Sequence, residues 1–93
     1  MNRVKCGKLL RALRLERDLS IELMVLDMNQ KYKDELEKPL NISMVSRWEN
    51  DKNDPSLRQA VLLCRYFNIS LDYLIGITDV RTPADLRSHK KRG

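Results

Sequence analysis

Residues 41–50 read Asn41-Ile42-Ser43-Met44-Val45-Ser46-Arg47-Trp48-Glu49-Asn50, and the reading of the whole chain turns on them. Asn41 suits a helix start, because its side-chain oxygen can accept one of the backbone amides that the first turn leaves orphaned. Val45 and Trp48 fall three residues apart, so they share the inward face of a helix while Arg47 points elsewhere. Trp48 could instead stack on a nucleic-acid base, but a packing role is the stronger reading. Asn50-Asp51-Lys52-Asn53-Asp54-Pro55 follows as a polar turn, since Asn and Asp tolerate left-handed backbone and cap with their side chains. A short two-faced helix over residues 41–49 is the result.

Outward from that helix the same period repeats. Cys6, Leu10 and Leu13 form one stripe, predicting a first helix over residues 4–17. Asp18-Leu19-Ser20 breaks it, and Ser20 caps a second helix whose inward residues are Met24, Val25 and Met28. Tyr32 and Leu36 continue that stripe in steps of four, so the second helix is expected to run to residue 36, where Pro39 disfavours helical geometry just beyond. From Ser56, the residues Leu57, Ala60, Val61, Cys64 and Phe67 mark a fourth helix, with Asn68 as its left-handed terminator. Ser70 caps a fifth over residues 71–75, which Gly76 stops. Thr82-Pro83 with Asp85 has the makings of one more, frayed turn. No strand-like alternation, repeat or low-complexity run interrupts the pattern, so the expected class is all-α with five helices.

Composition bounds the function. At 93 residues, 42% hydrophobic and 33% charged, the chain allows one small domain, taken as residues 1–80, with residues 81–93 as a basic tail or linker. Lys and Arg number 18 against 13 acids, and the excess sits at the two ends: residues 1–17 carry six bases and one acid, residues 81–93 five bases and one acid. Residues 18–40 carry six acids and three bases. A basic excess of this kind invites a polyanion, although a solvated helix face and tail explain it equally well. Cys6 and Cys64 sit inside apolar helical patterns without metal or redox spacing, so they read as small buried hydrophobes in a reducing compartment. With His89 as the single histidine and no nucleophile–base pairing or Gly-rich phosphate loop, no enzyme, metal or cofactor is expected. No apolar run approaches the ~20 residues that span a bilayer, and a cytoplasmic protein is expected.

Five segments in order resemble the phage-repressor/Cro-type helix-turn-helix family, also called xenobiotic-response-element regulators. They are Gly7 with Leu10-Arg11 and Leu13-Arg14; Leu19-Ser20 with Met24-Val25 and Met28; Val45 to Asn50; Pro55-Ser56-Leu57; and the run from Phe67 to Gly76. The resemblance implies a five-helix, lambda-repressor-like DNA-binding domain whose third helix enters the major groove. It places the base-reading positions on Ile42, Ser43 and Arg47. Arg47 could take guanine in a two-pronged contact, Ser43 donates or accepts, and the apolar Ile42 suits a thymine methyl. Packing of Ile42 and Met44 against a lengthened second helix is the competing reading. Contacts to the DNA backbone would fall to Ser20, Asn50, Lys52, Asn53 and Arg11, although Lys52 reads equally as a solvated charge. Arg14 and Glu49 match the pair that ties the first helix to the end of the third, and Cys64 stands where a small alanine allows a close helix crossing.

The chain also departs from the pattern. Met28 to Leu40 spans twelve positions where the family allows two. A subset of the family has its second helix lengthened in this way, which puts the pose of the third helix in question. Ile21 stands where the family carries a glutamine that touches DNA, so that contact is lost. Asp51 replaces the glycine after the third helix and is expected to add negative charge beside the DNA face. The expected partner is a DNA operator bound by a homodimer joined through the fifth helix and following residues, where Leu71, Tyr73, Ile75, Ile77 and Val80 exceed what a small core needs. The alternative is an antitoxin or antirepressor-binding module on the same fold, with a toxin or antirepressor as partner.

Overall fold

The computed structural model describes residues 6–81; the basic tail and the turn expected at Thr82-Pro83 lie outside them. Five helices follow one another: α1 (Gly7–Glu16), α2 (Ile21–Lys31), α3 (Ile42–Glu49), α4 (Leu57–Phe67) and α5 (Leu71–Leu74). Among the described residues there is no strand.

Local chemistry sets most of the boundaries. Ser20, Asn41, Ser56 and Ser70 each accept a backbone N–H from the first turn of the helix they open. At α4 the cap is reciprocal, because Gln59 Oε1 also accepts the Ser56 N–H at 2.7 Å. Asp18 and Asn68, with φ of 54° and 55°, close α1 and α4 in the left-handed region where their short polar side chains cost little. The first helix begins at Gly7, where residues 4–17 were expected; Cys6 is already off the helix, with φ −108° and ψ 8°.

The lengthened second helix is not what forms. α2 stops at Lys31, and Tyr32 leaves helical geometry with φ −117° and ψ 25°. The Tyr32 carbonyl then accepts from both Glu35 and Leu36, at 2.9 and 3.0 Å, making a separate turn. Charge explains the stop. A helix running to residue 36 would carry Asp34 and Glu35 at the negative end of its dipole, whereas the observed end carries Lys31 there.

The core is built from Leu10 and Leu13 of α1, Met24 and Met28 of α2, Val45 and Trp48 of α3, and Leu62, Leu63 and Phe67 of α4, with Leu40, Ile69 and Leu74 completing it. Each such side chain removed from water contributes about 1.5–3 kcal/mol. α4 does not present the expected face. Leu57 is 73% exposed and Val61 is exposed, while Leu62, Leu63 and Tyr66 are buried with Cys64 and Phe67. Among the described residues no helix covers Leu57 in the first turn of α4, so the stripe shifts inward only where the rest of the domain covers it.

Gly7 allows α1 to meet α3. A Cβ at this position would stand 2.5 Å from the Glu49 carbonyl oxygen and 2.6 Å from that of Trp48.

Candidate nucleic-acid interface

α3 is held at both ends and along its inner face, which fixes what its outer face shows. Val45 and Trp48 are fully inside, and Arg14 of α1 grips Glu49 at the helix end: Arg14 Nε donates to Glu49 Oε2 at 2.7 Å and Nη2 to Oε1 at 2.9 Å. Arg14 Nη1 also donates to the Leu19 carbonyl at 2.8 Å, so the guanidinium joins α1, α3 and the approach to α2. The hydrogen bond to Glu49 holds the Arg14 guanidinium protonated above its ordinary range. Such a pair contributes more to orientation than to net stability.

The other end is fixed by a device that sequence reasoning missed. Asn29, in the last turn of α2, accepts the Leu40 N–H at 2.7 Å and donates to the Leu40 carbonyl at 2.9 Å. The inserted residues therefore leave α2 and return to it, and α3 begins two residues after the return, behind its cap Asn41. An asparagine in a helix, a position it fills poorly unless its side chain finds backbone to bond, was the available signal.

With both ends set, Ile42, Ser43 and Arg47 are all exposed. Ile42 is not packed away by the insertion; it is 48% exposed beside Val25, Leu26 and Leu40. Met44 is half-buried near Leu36 and Gln59, and Gln59 Nε2 lies 3.7 Å from its sulfur. The insertion thus borders α3 on the Met44 side and leaves the outer face open.

Of the expected backbone-contact residues, three are gathered at the end of α3. Lys52 and Asn53 donate their N–H groups to the Arg47 carbonyl at 2.8 and 3.4 Å. Asn50 Nδ2 donates to the Ser46 carbonyl at 2.9 Å, and all three side chains are exposed. Ser20, at the start of α2, and Arg11, on α1, are exposed but no hydrogen bond joins either to α3.

Three of the acids are turned away from this face, while Glu22 lines a groove with Ile42 and Glu37 one with Met44. Asp51, with φ 55°, turns its carboxylate onto the Gly7 N–H at 3.1 Å, so its charge complements the start of α1 and is not directed beside α3 as expected. Asp27 accepts the Tyr66 hydroxyl at 2.7 Å, and Glu35 accepts from Arg65 at 2.7 Å. Burial, aided by that Asp27 bond, pushes the Tyr66 hydroxyl up to about 12. Burial likewise raises Cys6 and pushes Cys64 up to about 11, so neither sulfur is a ready nucleophile.

The helix-turn-helix family model matches residues 33–74, from the inserted segment through α3, α4 and α5. Residues 33–74 are similar to the Cro/C1-type helix-turn-helix family. Members of this family are DNA-binding regulators, and α3 of this helix-turn-helix domain is the helix that follows the turn. α1 and α2 both precede the matched segment, although they supply Arg14, Gly7 and Asn29, which fix α3. No curated protein and no solved structure gives a significant match. Among the described residues, no cluster of His, Cys, Asp or Glu could hold a metal ion, and no helix is long and apolar enough to cross a membrane.

Proposed function

We propose that this chain is a sequence-specific transcriptional regulator, a repressor of phage or mobile-element type acting in the cytoplasm. Residues 1–80 do the binding and residues 81–93 form a basic extension. Two copies bind a near-palindromic operator, each laying α3 in the major groove. The observation that carries this reading is the open outer face of a helix fixed at both ends: Ile42, Ser43 and Arg47 exposed, with Glu49 and the start of α3 tied down.

Arg47 makes the strongest discriminating contact, a two-pronged bond to guanine worth about 1–3 kcal/mol against other bases. Ile42 sets a thymine methyl against its side chain, and Ser43 bonds a base edge. Ser20, Asn50, Lys52, Asn53 and Arg11 contact phosphates and fix register. Dimerisation uses α5 and the residues around it. Pro55, Leu57, Ala60, Leu71 and Ile75 line an apolar groove of about 340 Å³, and among the described residues Leu57 and Ile77 are the most exposed large apolar side chains, at 73% and 71%. A two-fold protein then matches half-sites about 34 Å apart.

Selection of bound duplexes from a random pool, followed by fluorescence anisotropy on the recovered sequence, tests the reading. The expected result is a two-fold symmetric site and loss of preference at one base pair per half-site in Arg47→Ala. Affinity indifferent to sequence and to Arg47→Ala overturns it.

A further inference from the structure

The basic side chains of the described residues fall into two sets. Arg14, Arg17, Arg65 and Arg81 are engaged by Glu49, the Tyr66 carbonyl, Glu35 and Glu16, and Lys31 lies 5.6 Å from the centre of the Tyr66 ring. Lys8, Arg11, Lys33, Lys38, Arg47, Lys52 and Arg58 are exposed and have no ion pair among the described residues, and of these Lys38 and Arg58 stand together. They come from different elements, the inserted segment and the first turn of α4, yet they line one groove of about 290 Å³ together with Met44 and Glu37.

The location of that groove gives it meaning. Met44 lies on the flank of α3 that faces the insertion, beside the outer face that shows Ile42, Ser43 and Arg47. A helix with its side chains is about 10–12 Å across and the major groove about 12 Å wide, so a helix seated there has a phosphate strand along each flank. Side chains bordering α3 on the Met44 flank therefore meet backbone, not base edges.

We propose that the inserted segment and the first turn of α4 form a phosphate clamp, in which Lys38 and Arg58 hold the DNA strand that runs along the Met44 flank of α3. The inference rests on the regulator reading above and adds to it a contact made by the insertion itself. Glu37 stands in the same groove and opposes the strand, so it sets an upper limit on the affinity that the clamp supplies.

Salt dependence of binding by the full chain to its selected duplex tests the clamp, because each neutralised phosphate adds about 0.9 to the slope of log K against log salt. Lys38→Gln and Arg58→Gln are each expected to lower the slope by about 0.9. Raising salt from ~50 to ~200 mM then weakens the parent protein about 3.5-fold more than either variant. Both variants keep the selected sequence, and Glu37→Gln binds more tightly than the parent. Lys33→Gln, in the same segment but lining a separate groove with Asn29 and Pro39, is expected to leave the slope unchanged. Unaltered slopes for Lys38→Gln and Arg58→Gln in a protein that still selects its site overturn the clamp alone. Failure of the parent chain to select any site overturns the regulator reading, and the clamp with it.

Discussion

Asn29 holds Leu40 by both of its backbone polar groups, across eleven residues of chain. The two bonds make the inserted segment a closed excursion from the end of α2, so whatever lies between them does not alter where α3 begins. Asn29→Ala is expected to cost about 2 kcal/mol, since it strands a half-buried N–H and carbonyl. Urea denaturation followed by circular dichroism measures that cost. Operator affinity should fall by more than the unfolded fraction explains, because α3 loses its fixed start. Affinity unchanged in a folded Asn29→Ala variant would show that Leu40 is held by its burial alone.

Gly7 is expected to resist enlargement for a reason that has nothing to do with its backbone angles. The atoms a Cβ would strike, the carbonyl oxygens of Glu49 and Trp48, are main chain and cannot rotate aside. Gly7→Ala must push α1 off the end of α3, with the overpacking cost of about 1–3 kcal/mol typical of close contacts, and it misaligns the Asp51 cap. Gly76 is the informative contrast. A Cβ there meets nothing within 4 Å, but φ of +85° penalises any L side chain. Thermal melts of both alanine variants, with DNA binding measured alongside, separate the two: Gly7→Ala should impair binding, and Gly76→Ala should lower stability without touching α3.

The two legible ends of α3 and the illegible end of α2 differ in the kind of signal they carry. Asn41, Ser20, Ser56 and Ser70 announce helix starts through a chemistry that needs only neighbouring residues, so sequence reading places them well. Val45 and Trp48 face inward as their spacing requires. The stripe Met24–Met28–Tyr32–Leu36 is inward too, but Leu36 bonds the Tyr32 carbonyl within a turn beyond the helix end, and a four-residue period does not distinguish that turn from one more helical turn. What stops α2 is acid placement and a bond to Leu40, eleven residues away. Leu57 misleads for a related reason, because periodicity reports an apolar residue and not whether anything covers it. At the candidate interface, Ile42, Ser43 and Arg47 were legible as positions on a helix face. The engagement of Asp27, Glu35 and Asp51 with other elements was not, since each partner lies 30 or more residues distant.

Breaking the Arg14–Glu49 pair on one side is expected to be far costlier than replacing both partners. Side-chain exposure is 10% for Arg14 and 5% for Glu49, so Glu49→Leu leaves a charge without compensation in the interior. A loss of about 3–5 kcal/mol follows for either single change. Arg14→Met combined with Glu49→Leu should recover most of it. The Leu19 carbonyl then loses its bond from Arg14, which keeps the recovery incomplete. A double-mutant cycle by urea denaturation gives the coupling directly. Should the double variant fold well yet bind DNA poorly, orientation of α3 is the contribution of the pair.

Alkaline pH is expected to lower the stability of the protein over two overlapping ranges that belong to named groups. Burial raises the Cys64 thiol from its ordinary value of 9.0 to about 11, and burial with the Asp27 bond raises Tyr66 from 10.0 to about 12. A raised value in the folded state means that the unfolded chain loses its proton first. The stability tied to Cys64 is thus fully present below pH 9 and disappears as pH climbs to about 11; for Tyr66 the corresponding window runs from 10 to about 12. Denaturation curves taken at intervals between pH 7 and 11 should be flat at first and then decline. Cys64→Ala removes the earlier part of the decline, and it disturbs packing little because the replacement is small and apolar. Tyr66→Phe removes the later part and also lowers stability at neutral pH through loss of the hydroxyl bond to Asp27. A decline that begins at pH 9 and is identical in Cys64→Ala would assign it to Cys6, whose thiol is raised by the same burial.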